Sequence, residues 1–460
     1  MKSKFPFNLK MSLAVVTMIV FIGCSESQKD ETPWVSLFDG KTLNGWSSIK
    51  GGNALYEVKD GAIVGTTVRN TPNTFLTSDK MYGDFILELD YKVDPSMNSG
   101  IQIRSNSIQN YRDGVVHGYQ IEIDPAERAW SAGIYDEQRR GWLFPMTDNK
   151  KAQEAFKQNG WNNYRIEAIG DTIKTWINGV PAAHLIDDMT PSGFIGLQVH
   201  RIRDNNPEGT EIMWKNIKIL TKDLNKYTKE TPVKPVITKN RLTIDEEENG
   251  WKMLWDGEST RGWRGARLNE FPDEGWVIEN GELFVLATGG AESSAGGDIV
   301  TEDIYGDFEI KVDFKITKGA NSGIKYYVDT NINKGPGSSI GLEYQILDDE
   351  NHPDAKLGNH QGSRTMASLY DLIKADPNKP VNSIGQWNSA YIISKNNHVE
   401  HWLNGVKVLE YERKSPEYRK LVSESKYADW PKFGEAERGH ILLQDHGNRV
   451  TFKNIKIKSL

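Results

Sequence analysis

The feature that most restricts this chain is that it repeats itself. Trp34-Val-Ser-Leu-Phe-Asp-Gly40 returns as Trp251-Lys-Met-Leu-Trp-Asp-Gly257, each followed by Gly-Trp (Gly45-Trp46, Gly262-Trp263). Tyr82-Gly-Asp-Phe85 returns as Tyr305-Gly-Asp-Phe308, and Asn98-Ser-Gly-Ile101 as Asn321-Ser-Gly-Ile324. Trp176-Ile-Asn-Gly179 pairs with Trp402-Leu-Asn-Gly405, and Lys215-Asn-Ile-Lys-Ile219 with Lys453-Asn-Ile-Lys-Ile457. Matches that keep their order over this length describe one domain written twice, not a solenoid of short units. A chain of 460 residues is also too long for one ordinary core and suits two domains. The repeats are expected at 34–221 and 250–460. The linker is expected at 222–249, where Pro232, Pro235 and the charges Asp245 to Glu248 displace apolar alternation.

Within each repeat the local signals are β. Phe85–Val93 and Phe308–Ile316 alternate apolar and polar with period two. Tyr164–Ile169 and Tyr391–Lys395 are shorter runs of the same kind, and Asn178-Gly179 and Asn404-Gly405 are two-residue hairpin signals. Helical periodicity is scarce, with Asp148–Gln158 and Ser415–Ser425 each able to hold a short helix. Many short strands and few helices predict an all-β chain, with a sandwich or jelly roll in each repeat.

The N-terminus is different. Lys2, Lys4 and Lys10 precede an apolar stretch, Met11–Ile22, and then Gly23-Cys24. A basic head, a short apolar stretch and a small residue before the cut describe a signal peptide. Cys24, the single cysteine, stands where a lipoprotein signal carries the thiol that receives lipid, so residues 1–24 are read as a lipoprotein signal peptide with its lipidation site. An ordinary signal peptide containing a cysteine is the alternative. Residues 25–33 then form a polar tether, and the expected location is the cell envelope, periplasmic or anchored to the outer membrane. With no cysteine left for disulfides, stability must come from the core. The net charge of −7 comes without a long basic stripe, which argues against a nucleic-acid partner.

Both repeats resemble a domain family associated with 3-keto-glycosides, described as 3-keto-disaccharide hydrolase, 3-keto-glucoside 1,2-lyase and 3-keto-2-hydroxy-glucal hydratase. The second repeat carries the fuller match, through Asn321-Ser-Gly-Ile, Gly341-Leu-Glu-Tyr-Gln-Ile-Leu-Asp348, Ser368-Leu-Tyr-Asp371, His401-Trp-Leu-Asn-Gly405 and Leu443-Gln-Asp-His-Gly447. The resemblance implies two tandem concanavalin-like jelly-roll β-sandwiches, a carbohydrate substrate and no cofactor.

Strand alternation sorts the polar residues by face. Ile324 and Tyr326 read as core, which turns Lys325 and Tyr327 to the other face. Tyr344 and Ile346 read as core, which leaves Glu343 and Gln345 opposite. Gln444 and His446 share a face, and Gln-x-His recurs as Gln198 and His200. The first-repeat counterparts are Gln102, Arg104, Gln120, Glu122 and Asp124. Anchored on Gly118 and Gly341, Gln120 falls where Glu343 sits and Glu122 where Gln345 sits, so the acid has moved one face-sharing step. The first site is expected to be altered, and the second repeat to be the main site. The polar loop after Asp348 brings His360 and Arg364 as caps. Its acids Asp348, Asp349 and Glu350 also have the character of a hard-oxygen metal site, although no metal is expected.

A 3-keto group acidifies the C2 hydrogen, so removal of that proton, elimination at C1 and hydration give net hydrolysis. The chemistry needs a base, a donor to the enolate oxygen and an acid for the leaving group. Glu343 and His446 are the candidate base and acid, in either order. Lys325 or Arg364 can stabilise the enolate, and Tyr327, Tyr370, Gln345, Gln444 and His360 can orient hydroxyls. Two alternatives stand. Glu122-Ile-Asp-Pro-Ala-Glu127 resembles the paired-carboxylate strand of retaining glycosidases, and a sandwich rich in Trp can also be a non-catalytic carbohydrate-binding module.

Overall fold

The computed structural model describes residues 33–202, 207–332, 338–430 and 432–460. The leader, Cys24 and residues 25–32 of the tether lie outside the described residues.

Each repeat is a jelly-roll sandwich of two sheets, antiparallel apart from one short parallel strand at the edge of the first, as the strand periodicity predicts. In the first, a nine-stranded sheet has the neighbours Val180–Ile186, Thr172–Ile177, Asn162–Ile169, Phe85–Val93, Glu211–Leu220, Ala62–Thr66 and Leu55–Lys59 in that spatial order, with a short strand beside Val180–Ile186 and another, Val35–Ser36, paired to Glu211–Leu220. A seven-stranded sheet faces it, running Gly141–Phe144, Ile134–Glu137, His117–Ile123, Ser99–Asn106, Phe194–Val199, Thr74–Thr77, Ser48–Gly51. The second repeat has eight strands in the corresponding large sheet and five in the facing one. The five run Trp263–Gly265, Ile299–Thr301, His440–Leu443, Asn321–Val328, Leu342–Leu347.

Alternation decides which side chains fill the space between sheets. Phe85, Leu87, Leu89, Tyr91 and Val93 are buried on one strand, and Phe308, Ile310, Val312, Phe314 and Ile316 on its counterpart. A buried aliphatic or aromatic side chain contributes about 1.5–3 kcal/mol, so these ten anchor the two cores. Both Asn-Gly hairpins form, with Asn178 and Gly179 at φ 48° and 81°, and Asn404 and Gly405 at 50° and 80°. Two consecutive positive φ values make the turn that matches the twist of flanking strands. Short helices occupy Lys150–Glu154 and Pro416–Ser423, inside the two segments named above. No helix among the described residues is long and apolar enough to cross a membrane.

The segment between the repeats is itself folded. Val236–Ile237 adds a parallel strand beside Val180–Ile186. Ile244–Glu248 is a helix whose capping box joins Thr243 and Glu246. The sandwiches touch directly as well. Tyr111 of the first packs in the core cluster of the second, against Gly405, where a Cβ would meet its ring at 2.1 Å. The buried Lys453 ammonium pairs with Asp188 at 2.5 Å and sits 4.0 Å from the Trp387 ring centre.

Candidate functional site

Register builds a polar surface on the five-stranded sheet. Lys325 lies opposite Glu343 on one side and Leu442 on the other, and Gly323 lies opposite Gln345. The Gln444 amide donates to Gly323 O at 3.0 Å, which puts Gln444, Gly323 and Gln345 in the next row. Directly opposed residues project to one face, so Lys325, Glu343, Gln345 and Gln444 share it. Gly323 is required beneath them. A Cβ there would lie 2.4 Å from Glu343 Oε1 and 2.9 Å from its Cγ, because the glutamate side chain lies across the neighbouring strand. Gly100 plays this part in the first repeat, under Gln120 at 2.5 Å. This is the physical reason for the glycine of Asn-Ser-Gly-Ile.

Glu343 is buried. Lys325 Nζ lies 3.4 Å from its Oε2. In the orientation that satisfies both ends of the amide, Gln345 donates to Glu343 Oε1 at 3.1 Å. Burial pushes the Glu343 carboxyl up, and Lys325 and then Lys426 pull it back. The other side of Lys325 donates to Ser338 Oγ at 2.5 Å and Ser339 O at 3.3 Å. Ser338 also donates to the buried Asp298, whose carboxyl is likewise pushed up by burial and pulled back first by Lys325. One ammonium therefore serves two desolvated carboxyls.

Tyr370 and Lys426 wall this cluster. The Tyr370 amide donates to Glu343 O at 3.0 Å, its hydroxyl donates to Asp354 at 2.9 Å, and Lys426 Nζ stands 4.3 Å from the ring centre. Burial lowers the Lys426 pKa, while Glu343 raises it. Asp445 fixes the opposite wall. Its Oδ2 accepts the amides of Ala295, Gly296 and Gly297 at 2.8, 3.0 and 2.9 Å, holding the loop that carries Glu292. Gln444 Oε1, His446 Nδ1 and Ser339 Oγ are buried with no protein partner. Such atoms cost free energy unless bonded, and sugar hydroxyls supply bonds of that kind.

Other sequence candidates fall elsewhere. His446 lies beyond the end of the His440–Leu443 strand, outside the paired rows that align Lys325 and Glu343. Its ring stands edge-on to His352 at 6.0 Å. His360 Nε2 bonds Leu421 O at 3.2 Å. Arg364 is committed to Asp354 and Asp371, at 2.7 and 2.8 Å, and so braces the loop beside Tyr370. Asp348 accepts the Gly319, Glu350 and Asn351 amides, and Asp349 accepts the Met366 amide, so both organise the loop.

Tyr327 is a correction. A bulge separates the Lys325–Leu442 and Val328–His440 pairs, and Tyr327 takes φ 53°. The extra residue turns Tyr327 to the core along with Tyr326. Its hydroxyl bonds Ser394 Oγ at 2.7 Å in the opposite sheet, and its ring lies under Arg413. Arg104 occupies the matching position at φ 46° and is corrected with it. Its guanidinium donates to Gly83 O, Gly170 O and Asp84 at 2.8, 2.8 and 2.9 Å, a structural role.

The first repeat keeps the surface with different groups. Ser105 donates to Gln102, Gln102 to Gln120 at 2.6 Å, and Gln120 to Glu122 at 2.9 Å. Asn98 completes the Glu122 cradle at 2.6 Å, and burial pushes the carboxyl up to about 7. Gln102 stands where Lys325 stands, so no ammonium is central here. Gln198 is buried with neither amide atom bonded, and His200 Nδ1 bonds Arg201 O at 2.7 Å. Asp124 and Glu122 share one cation, since Arg128 reaches Glu122 at 3.6 Å as well as Asp124. Asp124 lies past the strand end, caps the following turn through Ala126 N at 3.1 Å, and holds Arg128 at 2.5 Å.

Sequence reasoning missed Asp298, Lys426 and Asp445. For Lys426 there was no signal, since it follows the Pro416–Ser423 helix in an excursion the first repeat lacks. A usable signal existed for the wall, because Tyr135-Asp136 matches Tyr370-Asp371. Both aspartates are buried and paired with arginine, Asp136 with Arg139 and Arg140, Asp371 with Arg364.

The profile of the family described as "3-keto-alpha-glucoside-1,2-lyase-like domain" matches twice, at residues 33–220 and 250–458. A protein of Bacteroides thetaiotaomicron called 3-keto-disaccharide hydrolase is 35% identical over 239 residues, 48% of this chain and 81% of its own. A Parabacteroides distasonis crystal structure described as a glycosyl hydrolase is 32% identical, covers 48% of this chain and all of its own, and superposes with a TM-score of 0.43. A second structure from that organism, given the same description, is 28% identical over 43% of this chain, with a TM-score of 0.32. The chain belongs to the 3-keto-alpha-glucoside-1,2-lyase-like domain family and carries two copies of that domain.

Proposed function

We propose that the second repeat cleaves 3-keto-glycosides, 3-keto-glucosides or disaccharides, by elimination and hydration. The observation that carries the reading is a buried carboxyl, Glu343, pushed up by desolvation and paired with Lys325 on a polar face. In this mechanism Glu343 takes the C2 proton and the C–H electrons form the C2–C3 enolate. The Lys325 ammonium stabilises the enolate oxygen. The C1–O bond then breaks, the C3 carbonyl re-forms, C1–C2 becomes double, and the leaving oxygen takes a proton from Lys426. Water adds at C1, and C2 takes up a proton from the Glu343 carboxyl after that proton has exchanged with solvent, which completes hydrolysis. The Bacteroides relative's name, 3-keto-disaccharide hydrolase, supports this substrate class.

The first repeat, with Gln102 in place of Lys325, is assigned a weaker or purely binding role. The chain is further proposed to be a cell-envelope lipoprotein held by lipid on Cys24, on the strength of its leader sequence. Cys24→Ser is then expected to release the protein from membranes.

The test of the activity uses a 3-keto glucoside and its unoxidised parent. Turnover of the keto form alone, abolished in Glu343→Gln, supports the reading. Turnover of the parent makes the chain a conventional glycosidase, and binding without turnover of either makes it a module.

A further inference from the structure

The duplication makes each sandwich a reference for the other, and their polar faces differ in a consistent way. In the first repeat Gln102, Gln120, Tyr135 and Trp142 lie directly opposite one another on four neighbouring strands, so they form one row on one face. Gly196 stands opposite Gln102 on the next strand, which sets Gln198, Gly100 and Glu122 in the row beside it. Gln102 pairs with Gln120 as Lys325 pairs with Glu343. Tyr135 and Tyr370 head matching Tyr-Asp dipeptides. The Lys426 ammonium stands 4.3 Å from the Tyr370 ring centre, whereas the Trp142 ring stands 5.2 Å from that of Tyr135. Both ammoniums of the second site thus give way to neutral groups, an amide and an indole. The glycine at 100 and 323, the asparagine at 98 and 321 and the glutamine at 198 and 444 are kept. Arg128, the cation beside Glu122, is exposed, bound to Asp124 and laid over Trp130 and Trp142 at 4.8 and 5.1 Å.

These groups leave hydrogen-bonding capacity of a definite kind. Asn98 donates to Glu122 Oε1 at 2.6 Å and Gln120 to its Oε2 at 2.9 Å, one bond to each oxygen where two can be accepted. Gln102 and Gln120 each spend one amide hydrogen in the chain that runs from Gln102 through Gln120 to Glu122, and each keeps another. Gln198 is 0% exposed and has neither amide atom bonded. A buried amide of that kind costs free energy until a partner fills it. The face suits a partner that accepts from amides and donates to a carboxyl at once. A hydroxyl does both, whereas a keto oxygen only accepts.

We infer that the first repeat is a non-catalytic binding site for an unoxidised glycoside, the hydroxylated parent of the second repeat's substrate, held by Gln102, Gln120, Glu122 and Gln198 beside Trp142. The choice of ligand rests on the 3-keto-glycoside reading of the second repeat. With no ammonium at position 102, an enolate oxygen would have no opposite charge to meet, so a sugar bound here is held and not cleaved. The 3-keto substrate arises from that parent by oxidation at C3. One sandwich then keeps the parent at the protein, and the other cleaves the oxidised form.

The test is calorimetric titration of the full chain with methyl α-glucoside and with its 3-keto derivative, joined to chemical oxidation of tryptophan read by mass spectrometry. The parent should bind once per chain and shield Trp142. Gln198→Leu replaces an unbonded amide by an apolar group of similar size, so its melting temperature should not fall. Its affinity for the parent should fall at least tenfold, and the shielding of Trp142 should be lost. The 3-keto derivative should need at least tenfold more sugar to shield Trp142 in the wild type. A parent that does not bind, that binds without shielding Trp142, or that binds Gln198→Leu as tightly as wild type overturns the inference. So does equal shielding by the 3-keto derivative. If Gln198→Leu does not fold, the shielding of Trp142 in the wild type decides. Neither readout uses turnover, so a chain that binds the parent at Trp142 yet cleaves no 3-keto glucoside contradicts the second-repeat reading and leaves the first-repeat site standing.

Discussion

Replacing Lys325 with Met should make stability depend on pH in a way the wild type does not. Lys325 and Glu343 are 6% and 4% exposed and 3.4 Å apart. At an effective dielectric of about 20 this corresponds to about 5 kcal/mol of gross attraction. Removing one member of a buried pair typically costs about 3–5 kcal/mol, because a desolvated charge is left behind. Glu343 and Asp298 can avoid that cost by taking up protons. Burial already raises both carboxyls, and Lys325 is the main group lowering them. A carboxyl whose folded pKa lies above its unfolded value favours folding below the unfolded value, and that contribution is lost as pH rises through the folded one. Loss of Lys325 raises the folded values further, at about 1.4 kcal/mol per unit for each group. Lys426, also facing Glu343, limits the rise. Urea unfolding of the full chain should therefore show a small gap between wild type and Lys325→Met at pH 5. The gap should widen to about 3–5 kcal/mol by pH 8. Lys325→Met/Glu343→Gln should recover at least half of it at pH 8. A gap independent of pH, or a double variant no better than the single, would refute the reasoning.

Three further outcomes are expected. Gly323→Ala places a methyl 2.4 Å from Glu343 Oε1, so kcat on a 3-keto glucoside should fall at least tenfold while the melting temperature changes little. Tyr327→Phe removes a buried bond to Ser394 and should cost about 1 kcal/mol in urea unfolding with turnover unchanged, since the hydroxyl is on the core side. Asp445→Ala leaves three loop amides without their acceptor. It should raise KM more than it lowers kcat and destabilise by about 1–3 kcal/mol.

The strands were legible because period-two alternation is a direct consequence of burying one face. Phe85–Val93 and Phe308–Ile316 carry it without interruption. The hairpins were legible because Asn-Gly suits two positive φ values. The row of Lys325, Glu343 and Gln345 followed from the same alternation. Tyr327 did not follow, because a bulge shifts the alternation by one and no residue near it announces a left-handed tyrosine. Lys426 and Asp298 come to the site from excursions far away in sequence, where only tertiary packing makes them neighbours of Lys325 and Glu343. Pro232 and Pro235 suggested a bare spacer, yet the segment after them docks, because Glu246 finds two lysines that only the folded sheet brings together.

The most direct test of the account follows the C2 hydrogen of a 3-keto glucoside in deuterated water. Wild type should place one deuterium at C2 of the early product, and Glu343→Gln should give neither product nor exchange above background. Product that forms with its C2 hydrogen retained would mean direct displacement at C1, and would contradict the role given to Glu343.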